Sequence, residues 1–127
     1  MTIKMEQLIN ARNDLGFFAS INLPLKGAYK LTKIKKAVEE EYDYYAEKFQ
    51  EIIDKYAQRD ENGEIIFSED KERIMLDEDK LDECNDALIE LQQLDVEIDT
   101  YGLCIEDLGD DVECTPEQLE SLMIFME

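Results

Sequence analysis

The chain has 127 residues, of which 33 are Asp or Glu and 13 are Lys or Arg, for a formal net charge of −20. That length predicts one domain, the 44% of hydrophobic residues can supply its core, and so acidic a surface is repelled by phosphates, which disfavours direct nucleic-acid binding. Histidine is absent, and with it go the usual general base at neutral pH, the commonest metal ligand and every Ser-His or Cys-His nucleophile.

Charge falls in three blocks. Residues 1–38 carry +5, residues 39–80 carry −10, and residues 81–127 carry −15 without a single Lys or Arg. The last block cannot neutralise itself by internal ion pairs, so its field must be met by the basic N-terminal third, by a partner, or by solvent and counterions.

Met5, Leu8, Ile9, Ala11, Arg12, Leu15 and Phe18 recur at helical spacing and predict a first helix ending near Ala19-Ser20. Pro24 then disfavours helix at Leu23 and suits the first turn of a new one. From there Leu31, Ile34, Val38, Tyr42, Tyr45, Phe49, Ile52 and Tyr56 step by threes and fours, close to a coiled-coil seam. A helix over 26–58 would be roughly 50 Å long at about 1.5 Å per residue, too long for so small a chain to wrap, so it requires a partner helix. After the turn run Arg59-Asp60-Glu61-Asn62-Gly63-Glu64 and the β-prone Ile65-Ile66-Phe67, Ser68 with Glu69, Asp70 and Lys71 behind it suits an N-cap. A second helix over 69–93 would align Ile74, Leu81, Cys84, Leu88 and Leu91, interrupted by Asp77, and fold back antiparallel.

The last third changes character. Val96 and Ile98 alternate with Glu97 and Asp99 before Tyr101-Gly102-Leu103-Cys104-Ile105, two short extended runs that could pair as a ribbon. Thr115-Pro116-Glu117-Gln118 is a capping box opening a terminal helix to Met126. The sequence therefore predicts a mainly α protein: an antiparallel long-helix hairpin with an N-terminal helix and a small C-terminal β/α appendage. Its segments are 1–25 (helix and linker), 26–93 (hairpin) and 94–127 (acidic appendage).

Chemistry-bearing motifs are few. Residues 58–69 resemble a calcium loop in placing Asp60, Asn62 and Glu69 at ligand positions and Gly63 at the sharp turn, but Gln58 stands where the leading carboxylate should be and Arg59 brings a cation. An Asn-Gly turn explains the same residues with no metal. Carboxylate pairs are too plentiful to single one out, and there is no phosphate-binding glycine loop or nucleophile elbow. Neither enzymatic activity nor a cofactor is expected. Cys84, Cys104 and Cys114 are an odd set without CxxC spacing, read as reduced, buried thiols. With no signal peptide, lipidation signal or apolar stretch of membrane length, a soluble cytoplasmic protein is expected.

Lys26, Lys30, Lys33, Lys35 and Lys36 form the one electropositive patch, placed where the helix dipole does not favour cations. They either face the acidic third of the same chain or dock an acidic partner or another copy, which leaves a homodimer open. Asp82, Glu83, Asp86 and Glu90, with the loop residues Asp107, Asp110 and Asp111, make a candidate acidic face for a partner.

The succession Asn22-Leu23-Pro24-Leu25-Lys26-Gly27-Ala28-Tyr29-Lys30-Leu31, the helix ending in Glu51-Ile52-Ile53-Asp54-Lys55-Tyr56, the turn Asp60-Glu61-Asn62-Gly63, then Leu94-Asp95-Val96-Glu97-Ile98 and Thr115-Pro116-Glu117-Gln118-Leu119 resembles a family of short acidic helical proteins. Its members occur in phages and prophages of Gram-positive bacteria and have no assigned function. The resemblance implies a mobile-element origin and transfers no active-site residues. With the charge asymmetry it points to an interaction module of the host cytoplasm that binds a basic host or phage protein, touching neither membrane nor nucleic acid. One reading is an inhibitor that mimics DNA towards a host defence protein; the other is a virion or tail assembly factor acting through its helical hairpin.

Overall fold

Helices form where the apolar spacing asks for them. In the computed structural model, which describes residues 1–69 and 73–126, α1 spans Met5–Ser20, α2 Leu25–Tyr56, α3 Leu81–Gln92 and α4 Pro116–Met123. A two-stranded antiparallel sheet pairs β1, Thr2–Lys4, with β2, Asp95–Glu97. The fold class is thus the mainly α one expected, with a small β/α C-terminal part. Among the described residues no helix is long and apolar enough to cross a membrane. Contacts divide the chain into two compact units, Met1–Asp43 with Asp95–Glu127, and Tyr44–Leu94.

In the first unit, α1 buries Met5, Leu8, Ala11, Leu15 and Phe18 along one stripe, while α4 contributes Leu122, with Phe125 just beyond it. The Ser121 hydroxyl donates to Asp14 Oδ2 at 2.7 Å and ties α4 to α1. Leu31, Ile34 and Val38 of α2 are fully buried. Arg12 clamps Glu39 with two hydrogen bonds, of 3.1 and 2.9 Å, and lies 3.8 Å over the Tyr42 ring. β2 does not pair with the run 101–105, as its alternation suggested. It pairs instead with the N-terminal strand, Ile3 opposite Val96, and both side chains are buried. Tyr101 and Gly102 form a turn with positive φ, capped by Asp99 Oδ1, which accepts from the Tyr101 N–H at 2.8 Å.

The second unit corrects the expected start of the returning helix. α3 begins at Leu81, preceded by a 3-10 turn at Glu78–Lys80, not at residue 69. Asp77, which looked like a polar break in a helical seam, caps that turn by accepting from the Asp79 N–H at 3.1 Å. Ser68 does not cap α3: its hydroxyl accepts from the Arg73 N–H at 3.2 Å, while Asp70 and Lys71 lie outside the described residues. Ile74 sits in a three-armed ribbon, bridged to Phe67, with Ala57 opposite Leu76 and Arg59 opposite Ile65. Backbone hydrogen bonds close a ring at its centre. Gln58 N–H donates to Met75 O at 2.7 Å, Met75 N–H to Ile66 O at 2.9 Å, and Ile66 N–H to Gln58 O at 2.9 Å. The Asn62-Gly63 turn caps one arm: Asp60 Oδ1 accepts from the N–H groups of Asn62 and Glu64, and Gly63 holds φ +80°. α3 then returns alongside the later turns of α2, leaving a groove of about 270 Å³ between Tyr44, Lys48, Glu51 and Ile52 on one wall and Ala87, Glu90, Leu91 and Leu94 on the other.

One glycine sets how closely the first unit closes. A Cβ at the buried Gly27 would lie 1.9 Å from the Asp107 carbonyl oxygen, so the loop around Asp107 can rest on the first turn of α2 only over glycine. Gly27→Ala is expected to destabilise the protein by about 1–3 kcal/mol, the usual cost of overpacking, although alanine favours helix by up to about 1 kcal/mol. Gly16→Ala, where the new methyl meets nothing within 4 Å, should stabilise by about 0.5–1 kcal/mol. Urea midpoints of the two variants moving in the same direction would contradict this packing.

Candidate functional site

The least exposed ion pair among the described residues joins the basic N-terminal third to the acidic C-terminal third. A 3-10 turn at Ile105–Leu108 has Cys104 at its N-cap, and Asp107 reaches back to it: Oδ2 accepts from the Cys104 N–H at 3.0 Å and from its thiol at 3.3 Å. Lys30 Nζ donates to the same oxygen at 2.7 Å and to the Gly102 carbonyl at 3.0 Å. Asp107 is buried, its side chain 5% exposed, and Lys30 is half-buried, its side chain 13% exposed. The Lys30 hydrogen bond, reinforced by those from Cys104, holds the Asp107 carboxyl at a pKa of about 2 against its usual 3.8, outweighing the opposing effect of burial. Beside that carboxylate the Cys104 thiol is pushed up, so it stays protonated and serves as a donor.

This pair removes two residues from the expected partner surfaces. Lys30 was expected on the docking patch and Asp107 on the acidic face, but each binds the other and is lost to a partner. Lys26, Lys33, Lys35 and Lys36 are exposed, and among the described residues no ion pair reaches them. Lys33 lies 5.6 Å from the Tyr29 ring centre.

The acidic candidates fall into two groups. Asp82, Glu83, Asp86 and Glu90 are all exposed on α3, and at about 100° per residue they share roughly a 100° arc, with the buried Cys84 and Leu91 on the far side. Asp110 and Asp111 belong to the other unit, where they line a cleft of about 600 Å³ between Ile21–Pro24 and Leu108–Glu113. The thiols also separate: Cys84 is buried as expected and burial pushes its pKa up, Cys104 is half-buried, and Cys114 is exposed, contrary to expectation. Among the described residues every buried side-chain nitrogen and oxygen has a hydrogen-bond partner.

Sequence reasoning missed the buried role of Asp107. The available signal was its position three residues after an N-cap and between the apolar Leu103 and Leu108, both of which are buried.

Because the folded pKa of Asp107 lies below its unfolded value, the pair contributes fully above about pH 4 and its contribution fades as the pH falls towards about 2. Asp107→Asn should therefore be less stable than the native chain at pH 7, with the gap closing across that acid window in urea titrations. A gap independent of pH would show that the carboxylate is not held in this way. Lys30→Met, which strands a buried carboxylate, should cost about 3–5 kcal/mol at neutral pH.

Comparison with known proteins adds a family and no activity. No curated protein and no solved structure matches the chain. A family model described as "Protein of unknown function (DUF1617)" matches residues 17–126, which takes in α2, the ribbon, α3, β2, α4 and the Lys30–Asp107 pair. The chain belongs to the DUF1617 family.

Proposed function

We propose that the protein is a non-catalytic interaction module that presents the outer face of α3 to a basic protein surface. One observation carries this reading: α3 buries Cys84 and Leu91 and leaves four carboxylates exposed along one arc, in a stretch of chain that has no cation from residue 81 onward. Asp82 to Glu90 spans about 12 Å of helix axis. Four charges over that length approach the one per roughly 3.4 Å of a single DNA strand. The finer reading that this supports is a phage-encoded inhibitor acting in the host cytoplasm, which occupies the nucleic-acid site of a defence protein.

A second reading is assembly on a phage structural protein. The apolar residues that the ribbon exposes, Ile66, Phe67 and Met75, favour it, since contiguous exposed apolar surface commonly marks an interface.

Affinity capture separates the two. The immobilised chain, incubated with a Gram-positive bacterial lysate, should retain nucleic-acid-binding proteins that duplex DNA or raised salt releases. Replacing Asp82 and Asp86 by Asn and Glu83 and Glu90 by Gln should reduce that retention at least tenfold. Asp107 is left intact, since altering it would disturb the fold. Loss of the first-turn acids costs α3 about 0.3–1 kcal/mol each, so the variant's circular dichroism should be unchanged. Retention that ignores both salt and the four substitutions would overturn mimicry and favour a contact through the ribbon.

A further inference from the structure

The first three turns of α2 carry a surface that the fold leaves uncovered. Leu25 is 88% and Tyr29 61% exposed, and Lys26, Lys33 and Lys36 are exposed beside them. At about 100° per residue these five share one arc of roughly 100°, opposite the buried Leu31, Ile34 and Val38. Glu40, exposed one turn further on, ends the stripe. Lysines near a helix N-terminus oppose its dipole, so local stability does not account for them. Three exposed cations around two exposed apolar side chains, in a chain of net charge −20, make a surface suited to an acidic helix with an apolar residue at its margin.

Such a helix is present in the same molecule. The outward arc of α3 carries Asp82, Glu83, Asp86 and Glu90, with Ile89, 54% exposed, at its edge. Lys26 to Lys36 spans about 15 Å of axis and Asp82 to Glu90 about 12 Å, so the two stripes match in length, width and opposite charge. We propose that the lysine and tyrosine stripe at the start of α2 docks on the acidic face of α3 in a second copy of the chain. The inference does not depend on a foreign partner and stands or falls with the purified protein alone.

Two opposing fields shape its salt dependence. At about 0.01 M salt the Debye length is near 30 Å and the net charge drives copies apart; at about 1 M it is near 3 Å and the stripes no longer attract; near 0.1 M, at about 10 Å, the contact outlasts the general repulsion. A single helix pair buries less than the roughly 1,200 Å² of a stable standard interface, so association is weak and needs protein near the millimolar range.

Sedimentation velocity and light scattering on the purified full chain, in reducing buffer because Cys114 is exposed, test this. Association should be greatest near 0.1 M salt and lower at both extremes. Asp86→Lys with Glu90→Lys changes the net charge from −20 to −16, because two carboxylates become two ammonium groups. General repulsion would then fall and association rise, whereas loss of the α3 stripe should weaken association at least tenfold. Lys26→Glu, Lys33→Glu and Lys36→Glu together should do the same. An equimolar mixture of the two variants should form a 1:1 complex that grows no further, since one retains an intact lysine stripe and the other an intact acidic one. If the triple variant loses its helical spectrum, Lys33→Gln with Lys36→Gln replaces it and should still weaken association. A native chain that stays monomeric at all three salt concentrations, or an Asp86→Lys, Glu90→Lys variant that associates as well as the native chain, would overturn the proposal.

Discussion

Neutralising an acidic C-terminal third with cations that all lie earlier in the chain is the constraint from which the first unit follows. The terminal amine of Met1 lies 3.7 Å from Glu97, Lys4 2.6 Å from Asp95, and Lys30 2.7 Å from Asp107. Each pair joins residues far apart in sequence and holds the two ends of the chain in one unit. The first two are exposed and worth little singly. The third is buried, and there the full set of hydrogen bonds to Asp107 Oδ2 is what makes a charge tolerable away from water. Gly27 gives the approach and Lys30 the countercharge, from adjacent turns of one helix.

The Tyr44–Leu94 unit meets its constraint through backbone instead. The ring formed by Gln58, Ile66 and Met75 lets three short extended arms satisfy one another with no long strand. Helix α3 is held there through Cys84 and Leu91, and its acids take part in none of the ion pairs among the described residues. Asp107 and Asp86 are the same residue type put to opposite uses. One is buried and fixes the fold; the other is exposed and leaves its field to act outside the molecule.

The helices were legible because periodicity is local. The apolar stripe of α1, the start of α2 directly after Pro24 and the capping box of Thr115 with Gln118 all appear as the residues indicated. What failed was long-range or brief. Three-residue β1 carries almost no signal, and its partner lies more than ninety positions away, so β2 was matched to a nearer run. Ser68 reads locally as the N-cap and Asp77 as a break in the seam, and both readings give way to the tertiary ribbon that engages Ile74 and Leu76 and leaves Asp77 to cap the turn before α3. The basic and acidic patches were visible as charge. That Lys30 and Asp107 leave them to join each other depended on burial, which spacing alone does not encode.

The exposed stripes constrain one another. If α3 is covered by the lysine stripe of another copy, a foreign partner must displace three lysines and the stems that carry them. A surface with a similar number of cations would gain nothing by the exchange, whereas a nucleic-acid-binding groove, built to neutralise a charge about every 1.7 Å of duplex, offers more cations over the same length and also excludes water. Self-association of this kind would act as a threshold: it shields the acidic face from ordinary basic surfaces and yields it to the denser ones. The exchange also favours dilution, since contact between copies weakens with falling concentration while a tight foreign complex persists. The same charge pattern that keeps copies loosely together at high concentration thus selects, at that concentration, for partners whose positive charge is as closely spaced as the carboxylates of α3, and leaves the face open once the chain is dilute.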